Sequence, residues 1–214
     1  FKITPHRQRM SAEQTVAKVG QVAPFIDTKL DAVLANDEIG QLTIKQYLDA
    51  GKYVVLYFYP LAFTFVCPSE IVAFSNKTEE FAANNVQLIG CAVDSVYATH
   101  AWKQVPLKQG GIQGAAMPIV SDLTHKLSIA YEALLPCGHS DRTTVIIAPN
   151  GNVRSIYHQD PPAGRSVDEV LRLVQAYQFS DEHGEVCPSS FSKDNKKTIK
   201  TDPKGKMEYF ESIY

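Results

Sequence analysis

The sequence predicts an α/β fold, a central β-sheet flanked by helices, followed by an extended C-terminal arm. Three observations carry this expectation. Between Tyr53 and Tyr131, apolar β-branched runs alternate with runs of helical period, the pattern of βαβ units. The tetrad Pro149-Asn150-Gly151-Asn152 separates two further apolar runs, and Asn-Gly is a hairpin turn signal. From Ser180 to Gly205 the chain is polar, contains Pro and Lys, and lacks a long apolar period. At 214 residues and 44% hydrophobic content the chain can build one sizeable core, so a single domain over residues 19–180 is expected. Residues 1–18 read as a flexible N-terminal segment and 181–214 as the arm.

Each element has its own reason. Tyr53 to Tyr59 is an apolar, aromatic and β-branched run that stops at Pro60, which reads as a buried strand. Pro68, Ser69 and Glu70 open an amphipathic run to about Asn84, with Ile71, Phe74, Thr78, Phe81 and Ala82 on one face. Proline favours the first helical position and acidic residues the first turn, so a helix starts at or beside Cys67. Val86 to Val93 is a near-continuous apolar strand of the parallel kind. A helical segment from about Tyr97 to Lys108 ends at Pro106 or at Gly110-Gly111, Pro118 to Val120 is a short strand, and Leu123 to Tyr131 is a helix. Thr143 to Ala148 and Val153 to His158 are the hairpin partners. Ser166 to Phe179 places Val167, Val170, Leu171, Val174 and Tyr177 on one helical face, with Ser166 and Glu169 forming a capping box. In the arm, Lys193, Lys196, Lys197, Lys200, Lys204 and Lys206 outnumber Asp194 and Asp202, which reads as a solvated segment. Met207, Tyr209, Phe210 and Ile213 then suggest a short terminal helix that docks.

Composition excludes several classes. A net charge of −2 gives no push toward nucleic acid or anionic membranes, and no apolar run approaches the ~18 residues of a span. The four cysteines, at 67, 91, 137 and 187, contain no Cys-x2-Cys pair, which argues against a dense secreted disulfide framework and against structural zinc. Cys137-Gly138-His139 would be half a metal site without a second pair. No metal, haem, flavin or other cofactor is called for. A reducing, intracellular compartment follows, cytoplasm or mitochondrion. Lys2, Arg7 and Arg9 precede the first acid, Glu13, a start that fits either the tail of a mitochondrial presequence or an ordinary flexible arm.

The chemistry concentrates at Cys67. A thiol at a helix N-terminus sits at the positive end of the helix dipole, which favours thiolate over thiol. The alternative is a buried structural cysteine, a common fate for the residue. The neighbours favour the reactive reading: Pro60 and Thr64 give Pro-x3-Thr-x2-Cys around the strand-to-helix turn. A hydroxyl near a thiolate can stabilise its charge and orient an incoming oxygen, while proline walls the pocket and offers no competing N–H.

The block FYPLAFTFVCPSEIVAFS resembles the active-site signature of the typical two-cysteine peroxiredoxins. The likeness recurs in Cys91-Ala92-Val93-Asp94-Ser95, Ala101-Trp102, Lys108 to Ile112, Gly164 to Glu169, Gly184 to Pro188 and Tyr209-Phe210. It implies a thioredoxin-like fold and peroxide as substrate, with Cys67 attacking the peroxide to form a sulfenic acid. It further implies that Arg142, just before the strand from Thr143, contacts the thiolate, with Glu70 and Arg165 as a supporting ion-pair network. Cys187 resembles the resolving cysteine, contributed by the partner subunit of a homodimer that assembles into a ring of dimers, a decamer. The Cys67–Cys187 disulfide would be reduced by thioredoxin or a thioredoxin-like donor. Gly110 to Gly114 and Tyr209-Phe210 resemble two elements that together slow local unfolding, so Cys67 is expected to over-oxidise to sulfinate at high peroxide. The match is partial, because Gln113 separates Ile112 from Gly114. Ala62, His100, Phe191 and the Asp141-Arg142-Thr143 triplet also depart from the family pattern.

Cys91 reads as buried and inert, and Cys137 as an exposed loop thiol outside any family motif. A redox sensor or holdase chaperone using the same oligomer is the alternative to a peroxidase. A thioredoxin-type reductase is disfavoured by the missing Cys-x2-Cys.

Overall fold

The elements, in chain order, are β1 (Leu30–Val33), β2 (Ile39–Leu42), α1 (Lys45–Asp49), β3 (Tyr53–Phe58), α2 (Cys67–Asn76), α3 (Thr78–Ala83), β4 (Val86–Ala92), α4 (Val96–Lys103), β5 (Ile119–Ser121), α5 (Lys126–Ala130), β6 (Thr144–Ile147), β7 (Val153–Tyr157), α6 (Val167–His183) and α7 (Pro203–Glu211). This computed structural model describes residues 16–192, 194–195 and 197–214. Most of the N-terminal segment 1–18, with Lys2, Arg7 and Arg9, therefore lies outside the described residues, as do Lys193 and Lys196 of the arm.

All seven strands form one sheet in the order β2-β1-β5-β4-β3-β6-β7. β3 pairs β4 in parallel and β4 pairs β5 in parallel, while β6 and β7 continue antiparallel on the other side of β3. This mixed sheet with helices on both faces is the thioredoxin-like fold. Every residue of β3 is buried, because the strand is covered on both faces. Tyr53, Val55 and Tyr57 join the core that includes Cys67, Ile71, Phe74, Val170 and Val174. Val54, Leu56 and Phe58 join the opposite core with Leu48, Leu127, Tyr131 and Val145. The two-residue side-chain period of a strand thus feeds both layers.

Several expectations are corrected in detail. The helix from Pro68 to Asn84 is broken at Lys77 (φ −107°, ψ 7°) into α2 and α3. The break sets Phe81 against Phe74, their ring centroids 6.2 Å apart, and turns Ala82 out to solvent. α4 stops at Lys103, and Leu107–Gln109 is a separate 3-10 turn. The helix expected from Leu123 begins at Lys126, because His125 takes left-handed φ of 60° and Asp122 caps the new start, accepting from Leu127 N at 3.0 Å and Ser128 N at 2.7 Å. The β1–β2 hairpin and α1 are additions that the apolar pattern did not announce. β2 is largely uncovered and four residues long, so it carries no strong period.

α6 runs one turn past Phe179 to His183 and ends on Gly184 at φ 68°. The extra turn is held at Asp181, which accepts from Arg154 Nη1 at 2.6 Å and from the Tyr53 hydroxyl. Ser166 caps the start, its Oγ accepting from Glu169 N at 3.3 Å. The arm is more folded than a solvated segment. Val186 and Ile199 form an antiparallel bridge, and Phe191 is buried with its ring 5.6 Å from Phe179. α7 is capped by Asp202, which accepts from Gly205 N at 2.9 Å. Gly205 is required there, because a Cβ would fall 2.4 Å from the Lys200 Cβ. Lys197 Nζ donates to Ser212 O at 3.4 Å, tying the end of α7 back to the arm.

Candidate active site

The parallel β3–β4 pair delivers the chain to a turn, residues 59–66, above the sheet edge, and α2 starts at its end. Cys67 is the first residue of α2, with Pro68 behind it and Glu70 in the first turn. Early N–H groups of a helix lack intrahelical acceptors and sum to a partial positive charge, so the thiol stands where an anion is favoured. The Cys67 residue is buried, 1% exposed.

The turn is fastened by contacts that sequence reasoning did not identify. Ala62 N donates to Asp94 Oδ2 at 2.9 Å, tying the turn to the end of β4. Burial pushes the Asp94 carboxyl up, against the Ala62 N–H that lowers it. Phe63 holds left-handed φ of 58° and sets its ring 5.8 Å from Trp102. Trp102 is fully buried and donates from Nε1 to Gly110 O at 3.0 Å. The next residue, Gly111, packs against Val105, where a Cβ would fall 1.9 Å from Val105 O. Pro60 is buried within the turn. The Thr64 hydroxyl donates to Leu61 O at 2.8 Å, so its proton is engaged within its own turn rather than with Cys67.

Three expected residues converge beneath the thiol. Arg142 Nη1 lies 3.5 Å from Cys67 Sγ and 2.5 Å from Glu70 Oε2. Glu70 Oε1 accepts from Arg165 N at 2.7 Å and Nε at 2.9 Å, and Oε2 accepts from Arg165 Nη2 at 3.0 Å. The Glu70, Arg142 and Arg165 side chains are 2%, 3% and 0% exposed. Buried ions persist when paired and hydrogen-bonded, and here every partner is fixed. Arg165 Nη1 also donates to Phe58 O at 2.7 Å and Thr143 O at 3.0 Å, stitching the ends of β3 and β6 together. Its guanidinium lies 5.1 Å from the Tyr57 ring centroid. Arg142 Nε donates to Pro161 O at 2.7 Å, which aims the guanidinium at the sulfur.

The charge sum is informative. Two guanidiniums meet one carboxylate in direct contact, so the cluster lacks one negative charge. The Cys67 sulfur is 3.5 Å from the Arg142 end of that cluster.

Cys187 lies outside this cluster. It is a free, half-buried thiol whose Sγ donates to Ala176 O on α6 at 3.3 Å. Burial pushes its thiol up and Arg172 opposes the shift. Cys91 is fully buried, and burial followed by the Asp122 charge pushes its thiol well up. Cys137 is exposed, with Sγ 3.2 Å from His139 Nε2. Among the described residues, no group of three or more His, Cys, Asp or Glu is arranged to hold a metal ion, and no helix is long and apolar enough to cross a membrane.

Residues 19–156 match the AhpC/TSA family. The chain is 44% identical over 198 residues to human peroxiredoxin-4, covering 92% of this chain and 71% of that one. It is 44% identical over 181 residues to a thioredoxin peroxidase of Echinococcus granulosus, covering 84% and 91% of the two chains. The crystal structure of the reduced Plasmodium vivax 2-Cys peroxiredoxin superposes with a TM-score of 0.86 at 40% identity, covering 90% of this chain and 98% of that one.

Proposed function

Because the chain belongs to the AhpC/TSA family as a typical 2-Cys peroxiredoxin, a thiol-dependent peroxidase, we propose that Cys67 is its peroxidatic thiol and Cys187 its resolving one. The charge deficit beneath Cys67 carries this reading. Arg142 and Arg165 face the single carboxylate of Glu70, and Arg142 Nη1 stands 3.5 Å from Cys67 Sγ, so negative charge that develops in the reaction is stabilised at this sulfur. The thiolate attacks one peroxide oxygen, and the O–O bond breaks. Sulfur is oxidised to the sulfenic acid, and the other oxygen leaves as water or an alcohol once protonated. Charge grows on that leaving oxygen, where Arg142 and the first N–H groups of α2 stabilise it. Thr64 turns its hydroxyl from Leu61 O toward the entering peroxide, and Pro60 walls the pocket.

Cys187 then attacks the sulfenic sulfur, forming the S–S bond and releasing water. In the reading proposed here the two thiols come from opposite subunits of a homodimer, which assembles into a ring of dimers, and a thioredoxin-like dithiol restores them. With its arm docked on α6, the resolving thiol is withheld, and excess peroxide takes Cys67 on to sulfinate. A reducing compartment, cytoplasm or mitochondrion, suits a dithiol-recycled enzyme.

Peptide mapping under non-reducing conditions, after one equivalent of hydrogen peroxide, tests the assignment. A Cys67–Cys187 cross-linked peptide with a dimer on the gel is the expected result. Oxidation on Cys137 with Cys67 untouched would overturn it.

A further inference from the structure

The guanidinium of Arg142 is held by two bonds, Nη1 to Glu70 Oε2 at 2.5 Å from the thiol helix and Nε to Pro161 O at 2.7 Å. Pro161 belongs to the segment 160–164, which is exposed or half-exposed throughout. A backbone bond inside that segment, from Ala163 N to Asp160 O, is long at 3.3 Å. An anchor for a buried cation therefore hangs from an exposed loop, and something must fix the loop.

Gln159 does so from two directions. Its carbonyl accepts from Arg142 N at 3.0 Å. Its side-chain amide donates from Nε2 to Ala163 O at 3.0 Å and to Gly164 O at 3.1 Å. Both neighbours are carbonyls, which accept and never donate, so the amide nitrogen must face them. Both of its hydrogens are thus spent on closing one loop. Gly164 in turn lies against the thiol helix: a Cβ there would meet Val66 Cγ1 at 3.3 Å and Glu70 Cγ at 3.6 Å. The next residue, Arg165, is the second cation on Glu70.

We propose that Gln159 is a positioning residue for the peroxidatic site, whose forked amide closes the 160–164 loop and thereby sets Pro161 O as the anchor of Arg142. The inference rests on the assignment of Cys67 and Arg142 given above. Gln159 touches neither the thiol nor the peroxide, and acts by fixing a guanidinium that does. Small displacements of a charge-stabilising group are costly in rate, up to about a hundredfold for a shift near 1 Å.

The test compares Gln159→Met, which keeps length and neutrality but has no donor, with Gln159→Glu, which keeps shape but has neither donor nor neutrality. Two quantities are read on folded protein: the pH midpoint for alkylation of Cys67, and the second-order rate with hydrogen peroxide. Arg142→Met is run beside them. The expected result is an upward move of the midpoint in both Gln159 variants, with a rate loss on the order of tenfold and a smaller effect than in Arg142→Met. A merely structural glutamine would lower the melting temperature and leave the midpoint in place. Profiles that superimpose on the unaltered protein overturn the inference, as does a shift in Gln159→Glu alone, which would be a charge effect. If Arg142→Met also leaves both readings unchanged, the underlying assignment falls instead.

Discussion

Replacing Arg142 with methionine tests the charge balance on which the reaction depends. The guanidinium sits 3.5 Å from the sulfur. At that separation, and with an effective dielectric constant near 20, a unit charge pair interacts by about 5 kcal/mol. Each 1.36 kcal/mol of lost stabilisation in the transition state corresponds to one power of ten in rate, so the gross effect is roughly three powers of ten. Water entering the space left by the guanidinium will screen part of this. The change is also larger than the loss of one contact suggests, because Glu70 keeps Arg165 on both carboxylate oxygens. The remaining pair is neutral by itself, and no excess positive charge is left beside the sulfur. The expected loss in the second-order rate with hydrogen peroxide at neutral pH is therefore at least about a hundredfold. Stopped-flow competition against a peroxide-consuming haem enzyme measures it, with circular dichroism confirming the fold. A rate within threefold of the unaltered protein would refute the argument, since no other cation contacts the sulfur among the described residues.

Two further perturbations separate stability from chemistry. Glu70→Gln leaves two buried guanidiniums without their anion, and breaking a buried pair of this kind costs about 3–5 kcal/mol. For a chain of this length a melting temperature lower by about 10 °C is expected, and a fall under about 2 °C in a thermal melt would mean that the cluster is not the clamp described here. The third concerns Cys187, whose thiol is raised from 9.0, chiefly by burial against α6. A raised value means that docking is stabilised while the thiol is protonated, fully so below 9.0, and that this stabilisation is lost as pH rises through the docked value. The Cys67–Cys187 cross-link should therefore form faster as pH climbs from neutral past about 9, whereas sulfenate formation at Cys67 should not follow that rise. Quench-flow samples on non-reducing gels read the first and intrinsic fluorescence the second; parallel pH profiles would contradict the assignment.

What was legible in the sequence was whatever rests on local pattern. β3 announced itself because all six residues are apolar or aromatic and both faces are covered. The start of α2 was written in Pro68 and Glu70, and with it the place of Cys67. The start of α6 was written in Ser166, whose Oγ accepts from Glu169 N at 3.3 Å, although the Glu169 carboxylate, expected to complete a capping box, pairs with Arg172 instead. Elements short on apolar period were invisible: β2 faces solvent over most of its length, and the break at Lys77 depends on aromatic packing between Phe74 and Phe81 rather than on any breaker residue. The arm looked solvated because its few apolar residues are far apart, yet Phe191 finds Phe179 across the end of α6.

The site divides along the same physical line. Cys67 and Thr64 were visible through their neighbours in sequence, but Arg142, Arg165 and Glu70 came through family resemblance, since nothing in one sequence says that positions 95 apart share a carboxylate. Pro161 and Gln159 were not anticipated at all, and Asp94 only as part of a family segment, without its role. Asp94 acts on the Ala62 N–H, Pro161 through its own carbonyl and Gln159 on the Ala163 carbonyl, and each such contact has a backbone atom on one side, which any residue supplies and which leaves no residue pattern. A buried charge cluster is specified by side chains that can be named from a sequence. The orientation of those side chains is specified by backbone atoms, which only the folded chain brings into place.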